Sequence, residues 1–261
     1  MKTVLVTGAA GGLGQAVCRM LLQQGHTVYG LDRERRTLLE AVHFIACDVT
    51  DESSVNAAKM ILGDISLDAI VHTAGIYDLD SLIEMDEDRF VRAFNVNLFG
   101  VYRVNKAFAP LLHRGSRIAI VTSELAPLDP LPFTGIYAIT KAALEKYADS
   151  LRMELNLLGI SLCIIRPGAI KTNLLGDSTR ALDRFVENTQ IYRCNASRFR
   201  QIVDSVEARN IPPEKAAQVI CRALTVRHPR YVYKINRNPL LLLLNALPRR
   251  WQVAIIGRIL K

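Results

Sequence analysis

Two side chains carry the first chemical signal in this sequence. In Tyr137-Ala-Ile-Thr-Lys141 a phenol and an ammonium stand four residues apart, which on a helix places them one turn from each other on the same face. An ammonium beside a phenol favours the phenolate, lowering the tyrosine pKa toward working pH. Such a pair can exchange a proton with an alcohol or carbonyl oxygen while hydride moves to or from a nicotinamide. The same spacing also occurs by chance in helices that do no chemistry. A second signal lies near the N-terminus, where Thr7-Gly8-Ala9-Ala10-Gly11-Gly12-Leu13-Gly14 follows an apolar run and opens an amphipathic one. Glycines at such a turn let the backbone come close to a pyrophosphate, and the first N–H groups and positive dipole end of the helix face the anion.

Asp32 ends the second apolar run, at about the distance from a glycine turn where a carboxylate binds ribose hydroxyls. There it accepts hydrogen bonds from the adenosine ribose and repels a 2′-phosphate, which points to NAD. Arg33, Arg35 and Arg36 follow at once and can pair with a 2′-phosphate, so NADP stays open. The other reading of Asp32 is a solvated loop residue. Asp48-Val49, after the third run, either holds the adenine edge or supplies a helix cap through Asp48.

These residues need a scaffold, and the hydrophobic pattern supplies one. Short apolar runs at 4–6, 27–31, 44–46, 69–72, 118–122, 162–165 and 231–234 read as strands. Longer amphipathic stretches between them, notably 12–24, 53–62, 96–112, 137–157 and 213–226, read as helices. The alternation predicts an α/β fold with about seven strands in a doubly wound parallel sheet covered on both faces. Pro212-Pro213 marks a helix start. Residues 173–210 mix apolar and polar positions and read as a lid or substrate loop. Residues 239–261 form a separate basic, apolar tail, so the chain divides into a domain over 1–238 and this tail.

Length and composition agree with one α/β domain: 261 residues, half of them hydrophobic and 22% charged, which excludes global disorder. The five cysteines are scattered without metal spacing and read as reduced thiols. Met1-Lys2 runs straight into a strand-like segment, so no signal peptide and no metal site are expected, and the protein reads as cytoplasmic. The net charge of +8 is uneven, since residues 191–261 carry 14 Lys/Arg against 3 Asp/Glu. Aromatic residues make up only 7%, and neither fact fits a nucleic-acid binder.

On these motifs the sequence resembles the short-chain dehydrogenases/reductases of about 250 residues, over nearly all of residues 1–235. The turn matches at Thr7, Gly8, Gly12 and Gly14, the catalytic pair at Tyr137 and Lys141, and a PG segment at Pro167-Gly168-Ala169-Ile170-Lys171-Thr172. The resemblance implies that Tyr137 moves the proton and that Lys141 tunes it and binds the nicotinamide ribose. It implies that Asn97, in Asn95-Val96-Asn97, is the relay asparagine, and that the Ile170 backbone and the Thr172 side chain hold the carboxamide. Where the family has NNAG this chain has His72-Thr73-Ala74-Gly75. Ala74 and Gly75 keep the close approach to the cofactor, and His72 is expected to be a structural donor. The family's serine falls by count on Glu124, with Ser123 one residue earlier in a proline-rich loop that can absorb an insertion. Ser123 is therefore assigned the hydrogen bond to the substrate oxygen, and Glu124 is either a pocket carboxylate or a surface loop residue.

The implied function is interconversion of an alcohol and a carbonyl. Leu128, Leu131, Phe133, Leu174, Leu175 and Phe185 would border the pocket and favour a lipophilic secondary alcohol. The tail is either an amphipathic helix that meets a membrane surface through its leucines and through Arg249, Arg250, Arg258 and Lys261, or a segment packed on the protein itself. A homodimer or tetramer through the helices over 96–112 and 137–157 is also implied. The rival readings are a non-catalytic NAD(H)-binding redox sensor and a sugar-nucleotide epimerase or dehydratase.

Overall fold

Apolar runs of four to seven residues, rich in β-branched side chains, become the strands of one parallel sheet. The structure, a computed structural model, describes residues 1–35 and 38–261, the side chains of 173–175, 177, 206 and 207 excepted. Arg36 and the side chains of Leu174 and Leu175 therefore lie outside the described residues. Among the described residues, seven strands run β1 (Thr3–Thr7), β2 (Thr27–Asp32), β3 (His43–Ala46), β4 (Leu67–His72), β5 (Leu112–Val121), β6 (Ser161–Pro167) and β7 (Val232–Ile235). All pair in parallel in the order 3-2-1-4-5-6-7.

Helices cover both faces, as a parallel sheet requires. On one face α1 (Gly12–Gln23) and α8 (Pro213–Thr225) bury Val17, Leu21, Ile220 and Leu224 against Val4, Val6 and Val71. On the other, α2 (Glu52–Leu62), α4 (Gly100–Phe108) and α5 (Gly135–Leu157) bury Val55, Val104, Phe108 and Leu144 against Leu5, Ile70, Ile118 and Ile120. Alternate residues of β1 thus serve opposite cores, the period-2 geometry of a strand. The order reverses between β1 and β4, and in such sheets the crevice at the carboxyl ends of the strands is where ligands bind.

Three expectations about elements change. The helix expected over 96–112 starts earlier and is interrupted: α3 (Glu87–Phe94) leads into a π-helical turn at Asn95–Phe99, then α4, and Leu112 already belongs to β5. Residues 173–210 are largely helical, as α6 (Asn173–Asn188) and α7 (Arg193–Glu207), and their mixed polarity reflects one face packed on the body with the other in solvent. The tail forms two short helices, α9 (Pro239–Asn245) and α10 (Arg249–Leu260), separated at Pro248. A third core joins these parts: Leu260 packs with Leu79, Leu182 and Phe199, and Asn195 donates to the Leu260 carbonyl at 2.7 Å.

Candidate active site

A cleft of about 1480 Å³ opens at the carboxyl ends of the strands. Its floor at one end is the β1–α1 turn. Gly8 there has φ +67°, and a Cβ on it would stand 2.6 Å from the Ala74 backbone nitrogen. A Cβ on Gly14 would meet the Gly8 carbonyl oxygen at 2.1 Å, so this turn closes only with glycine. The α1 N-cap, Gly11, makes no side-chain capping bond, and the first turn holds no acidic residue, which leaves the positive end of the helix facing the cleft. Gly8, Gly12, Leu13 and Gly14 line the cleft, whereas Thr7 is buried behind them and takes up the Thr73 hydroxyl at 2.6 Å through its carbonyl.

Further along the same wall, Asp32 accepts from the Ala10 N–H at 2.9 Å through one oxygen and from the Arg33 N–H at 2.8 Å through the other. This tie sets the carboxylate at the cleft edge beside Arg33; Arg35 is exposed. Asp48 and Val49 also line the cleft. Asp48 accepts from Thr50, and the cap of α2 is instead Asp51, which accepts from the Ser53 and Ser54 N–H groups, so the cap reading of Asp48 is corrected. Pro167, Gly168, Ile170 and Thr172 line the cleft as well, with Ala74 and Gly75, and Thr172 lies against the turn, since a Cβ on Gly12 would stand 3.0 Å from its Cβ. The glycine cradle, the open helix end and the carboxylate together fit a dinucleotide.

Of the proton-handling groups Ser123, Tyr137 and Lys141 line the same cleft, and the buried Asn97 bonds to Ile76 of its lining. The Ser123 hydroxyl lines the cleft together with the Tyr137 phenol, whose proton affinity it lowers, and accepts from the Leu125 N–H at 3.2 Å. Lys141 donates to the Val121 carbonyl at 3.2 Å, and its Nζ lies 5.7 Å from the centre of the Tyr137 ring. The π turn points Asn97 inward, where it is fully buried and pairs twice with Ile76, at 2.9 and 3.0 Å. Its amide also donates to Thr140 Oγ1 at 3.0 Å, and Thr140 donates to the Tyr137 carbonyl at 2.9 Å. Gly75 adjoins both groups: a Cβ on it would stand 3.3 Å from Asn97 Oδ1 and 3.5 Å from Lys141 Nζ.

Burial dominates the electrostatics. It pushes the Tyr137 phenol up to about 12, with the Ser123 bond pulling the other way, and lowers Lys141 to about 8. The expected lowering of the phenol by lysine is not found: desolvation disfavours both charged forms and moves the phenol the other way. His72 is buried and pushed down to about 4; as a neutral ring it shares a 2.9 Å hydrogen bond with Asn105, the structural role expected of it.

Several site residues carried no signal in the sequence. Tyr77 tilts against Tyr137 with ring centres 4.2 Å apart. Ala181, Phe199, Ile202, Val203 and Leu241 add apolar lining to the cleft beside Leu131, which lines it as expected, and Asp78 and Arg184 line it too and pair at 2.7 Å. Leu128, Phe133 and Phe185 do not line the cleft as expected: Phe133 and Phe185 pack against each other at 4.5 Å, beside Phe199. Glu124 is no surface residue. It is 6% exposed, lines the cleft and accepts from the Asn238 N–H at 2.7 Å.

Known proteins resemble this chain in sequence and in fold. The sequence model of the short chain dehydrogenase family matches residues 2–183. The chain is 28% identical over 253 residues to 3-ketodihydrosphingosine reductase of Bacteroides thetaiotaomicron, covering 96% of this chain and 93% of that protein. It is 30% identical over 256 residues to human 17-beta-hydroxysteroid dehydrogenase type 1, covering 88% and 76%. A short chain dehydrogenase from Burkholderia cenocepacia, solved in complex with NADP, superimposes with a TM-score of 0.73 at 22% identity, covering 100% and 98%. From its glycine turn to its Tyr137–Lys141 pair, the chain belongs to the short-chain dehydrogenase family of NAD(P)-dependent oxidoreductases.

Proposed function

We propose that the protein interconverts a lipophilic secondary alcohol and its ketone with NAD, using Ser123, Tyr137, Lys141 and Asn97. The observation that carries this reading is that Ser123, Tyr137 and Lys141 share one cleft with Asp32, the glycine turn and a set of apolar side chains, while the buried Asn97 bonds to Ile76 of its lining. When bound, the dinucleotide supplies the hydride acceptor or donor. Gly8, Gly12, Leu13, Gly14, Ala74 and Gly75 would lie along it, and Asp32, Asp48 and Val49 would hold its adenosine. Pro167, Gly168, Ile170 and Thr172 would hold its nicotinamide, with Lys141 on the ribose.

Ser123 donates to the substrate oxygen and so stabilises the charge that develops there. Tyr137, in the same cleft as Ser123, takes the alcohol proton or returns it to the carbonyl. Lys141 carries positive charge against the forming phenolate, and the buried Asn97 amide with Thr140 keeps α5 and the 76–86 segment in fixed register. The α6–α7 unit, the lid of this reading, is held by Glu84, which accepts from Thr189 at 2.7 Å and from the Gln190 N–H at 2.8 Å.

The names of the relatives, which refer to a ketosphingoid base and a steroid, agree with an apolar wall and a lipid substrate class. Leu240, Leu243 and Trp251 are exposed beside Arg250 and Arg258, which supports contact of the C-terminal helices with an anionic membrane surface for a protein of the cytoplasm. None of the helices is long and apolar enough to cross a membrane among the described residues. Exposed Tyr102, Met153 and Leu157 on α4 and α5 support self-association through that face.

The test is reduction of NAD and NADP by purified protein with steroid, retinoid, long-chain and small polar alcohols. NAD-linked turnover of a lipophilic alcohol is expected, with a loss of about 10²–10⁴-fold in Tyr137→Phe. Turnover with NADP alone would overturn the cofactor assignment, and tight NADH binding without turnover would transfer the protein to the sensor class. Sedimentation with anionic vesicles should fall in Leu240→Asp/Leu243→Asp, two exposed positions that leave the cleft wall at Leu241 intact.

A further inference from the structure

Next to Ser123 stands a buried carboxylate that the proton chemistry does not use. The Glu124 backbone donates to the Pro167 carbonyl at 2.8 Å, and its side-chain Oε2 accepts from the Asn238 N–H at 2.7 Å. Oε1 occupies the space above Gly168, 2.8 Å from where a Cβ would be. Three segments therefore meet at one side chain: the Ser123 loop, the loop after β6 and the connection from β7 to α9. That connection is held tightly. Asn236 has φ +50° and donates to the Ala169 and Arg209 carbonyls at 2.9 and 3.0 Å. Asn238 caps α9 by accepting from the Leu240 N–H at 3.0 Å.

The same loop is stapled a second time. The Asp129 N–H donates to Asn245 at 2.6 Å, and its carboxylate accepts from Arg249 at 2.7 Å and from the buried Gln252 at 3.0 Å. Between the two staples, α9 sets Leu241 into the cleft wall.

We infer that Glu124 is a positioning residue that fastens the C-terminal helices to the catalytic loop, so that α9 forms a wall of the substrate site and substrate affinity depends on the Glu124–Asn238 contact. The role at the substrate site rests on the oxidoreductase reading; the fastening itself does not. Burial raises the Glu124 carboxyl, while the Asn238 N–H and the Arg237 guanidinium pull it down. The groups facing it are Arg237 and Asn238 from the β7–α9 connection, Arg209 from the segment before α8, and the uncharged Gly168 and Ala169; a small cavity of about 200 Å³ lies among them. Protonation removes the charge from the acceptor and weakens a charge-assisted bond, so α9 loosens as pH falls.

Hydrogen–deuterium exchange on the full chain tests the fastening. Amides of 238–247 should exchange about tenfold faster in Glu124→Ala than in wild type, the effect of losing one hydrogen bond to a charged group. Asn238→Pro removes the donor and the cap together, at a φ of −79° that proline accepts, and should speed exchange at least as much as Glu124→Ala, whereas Asn238→Ala keeps the N–H, loses the cap alone and should exchange more slowly than Asn238→Pro. Unchanged exchange in Glu124→Ala and Asn238→Pro would overturn the inference.

Kinetics test the consequence. Glu124→Gln and Glu124→Ala should raise KM for the lipophilic alcohol about tenfold or less and about tenfold or more, respectively, with kcat within about twofold. The wild-type rise of KM toward acid pH should be absent in Glu124→Gln. Loss of kcat with unchanged KM, or an unaltered pH profile in Glu124→Gln, would refute it. Should no alcohol turn over at all, the exchange measurement still decides the fastening while the oxidoreductase reading alone fails.

Discussion

Replacing Gly8 by alanine separates two costs that the β1–α1 turn imposes at one residue. The φ of +67° is left-handed, and for an L residue it costs about 1–2 kcal/mol. The added Cβ would also sit 2.6 Å from the Ala74 nitrogen and 2.7 Å from the Ala74 Cα. Both are backbone atoms at the end of β4, so relief means moving one strand end from another, for about 1–3 kcal/mol more. Gly25 offers the control: its φ is +76°, and nothing lies within 4 Å of a Cβ there. Alanine restricts the unfolded chain equally at both sites and returns about 0.4–1 kcal/mol to each.

Urea denaturation should thus show Gly8→Ala less stable than Gly25→Ala by about 1–3 kcal/mol, the steric part alone. Fluorescence titration with NADH should show weakened binding only in Gly8→Ala, because only there does relief displace the Thr73–Gly75 backbone from the cleft. Equal stability losses, or unchanged NADH affinity in Gly8→Ala, would refute the argument that this turn closes against β4.

Asp32→Ser should raise the NADP-to-NAD ratio of kcat/KM about 5- to 30-fold, by removing about 1–2 kcal/mol of like-charge repulsion; steady-state kinetics with both nucleotides checks it. Lys141 is lowered to about 8 from 10.5, so between those values the unfolded chain binds more protons and stability rises with pH. Lys141→Met should then be stabilising by up to about 3 kcal/mol at pH 7, with the gain fading by pH 10.5 while turnover is lost, as denaturation at the two pH values would show. His72, lowered to about 4 from 6.5, costs nothing above pH 6.5 and lowers stability as pH falls toward 4, by up to about 1.4 kcal/mol per unit. His72→Gln should flatten that slope in acid denaturation.

What the sequence determined by itself was whatever local chemistry and short periods encode. The seven strands could be read because buried parallel strands are continuous apolar runs, and α1, α2, α5 and α8 because their apolar faces repeat at the helical period. The turn from Gly8 to Gly14 and the pair Tyr137–Lys141 were legible because each needs particular residue types at fixed spacing within one turn of chain. Only the tertiary structure decided the rest, because its causes lie far along the chain. The π turn at Asn95–Phe99 aims Asn97 at Ile76 and Thr140, partners 21 and 43 residues away. Glu124 stood open between a pocket carboxylate and a surface loop residue until Asn238, 114 positions on, supplied its donor. The helices of 173–207 and 239–260 hide because each is amphipathic only toward the other parts of the body that cover it. Burial also set the charges: spacing alone put an ammonium near a phenol, but the dry interior shifts both groups toward their neutral forms.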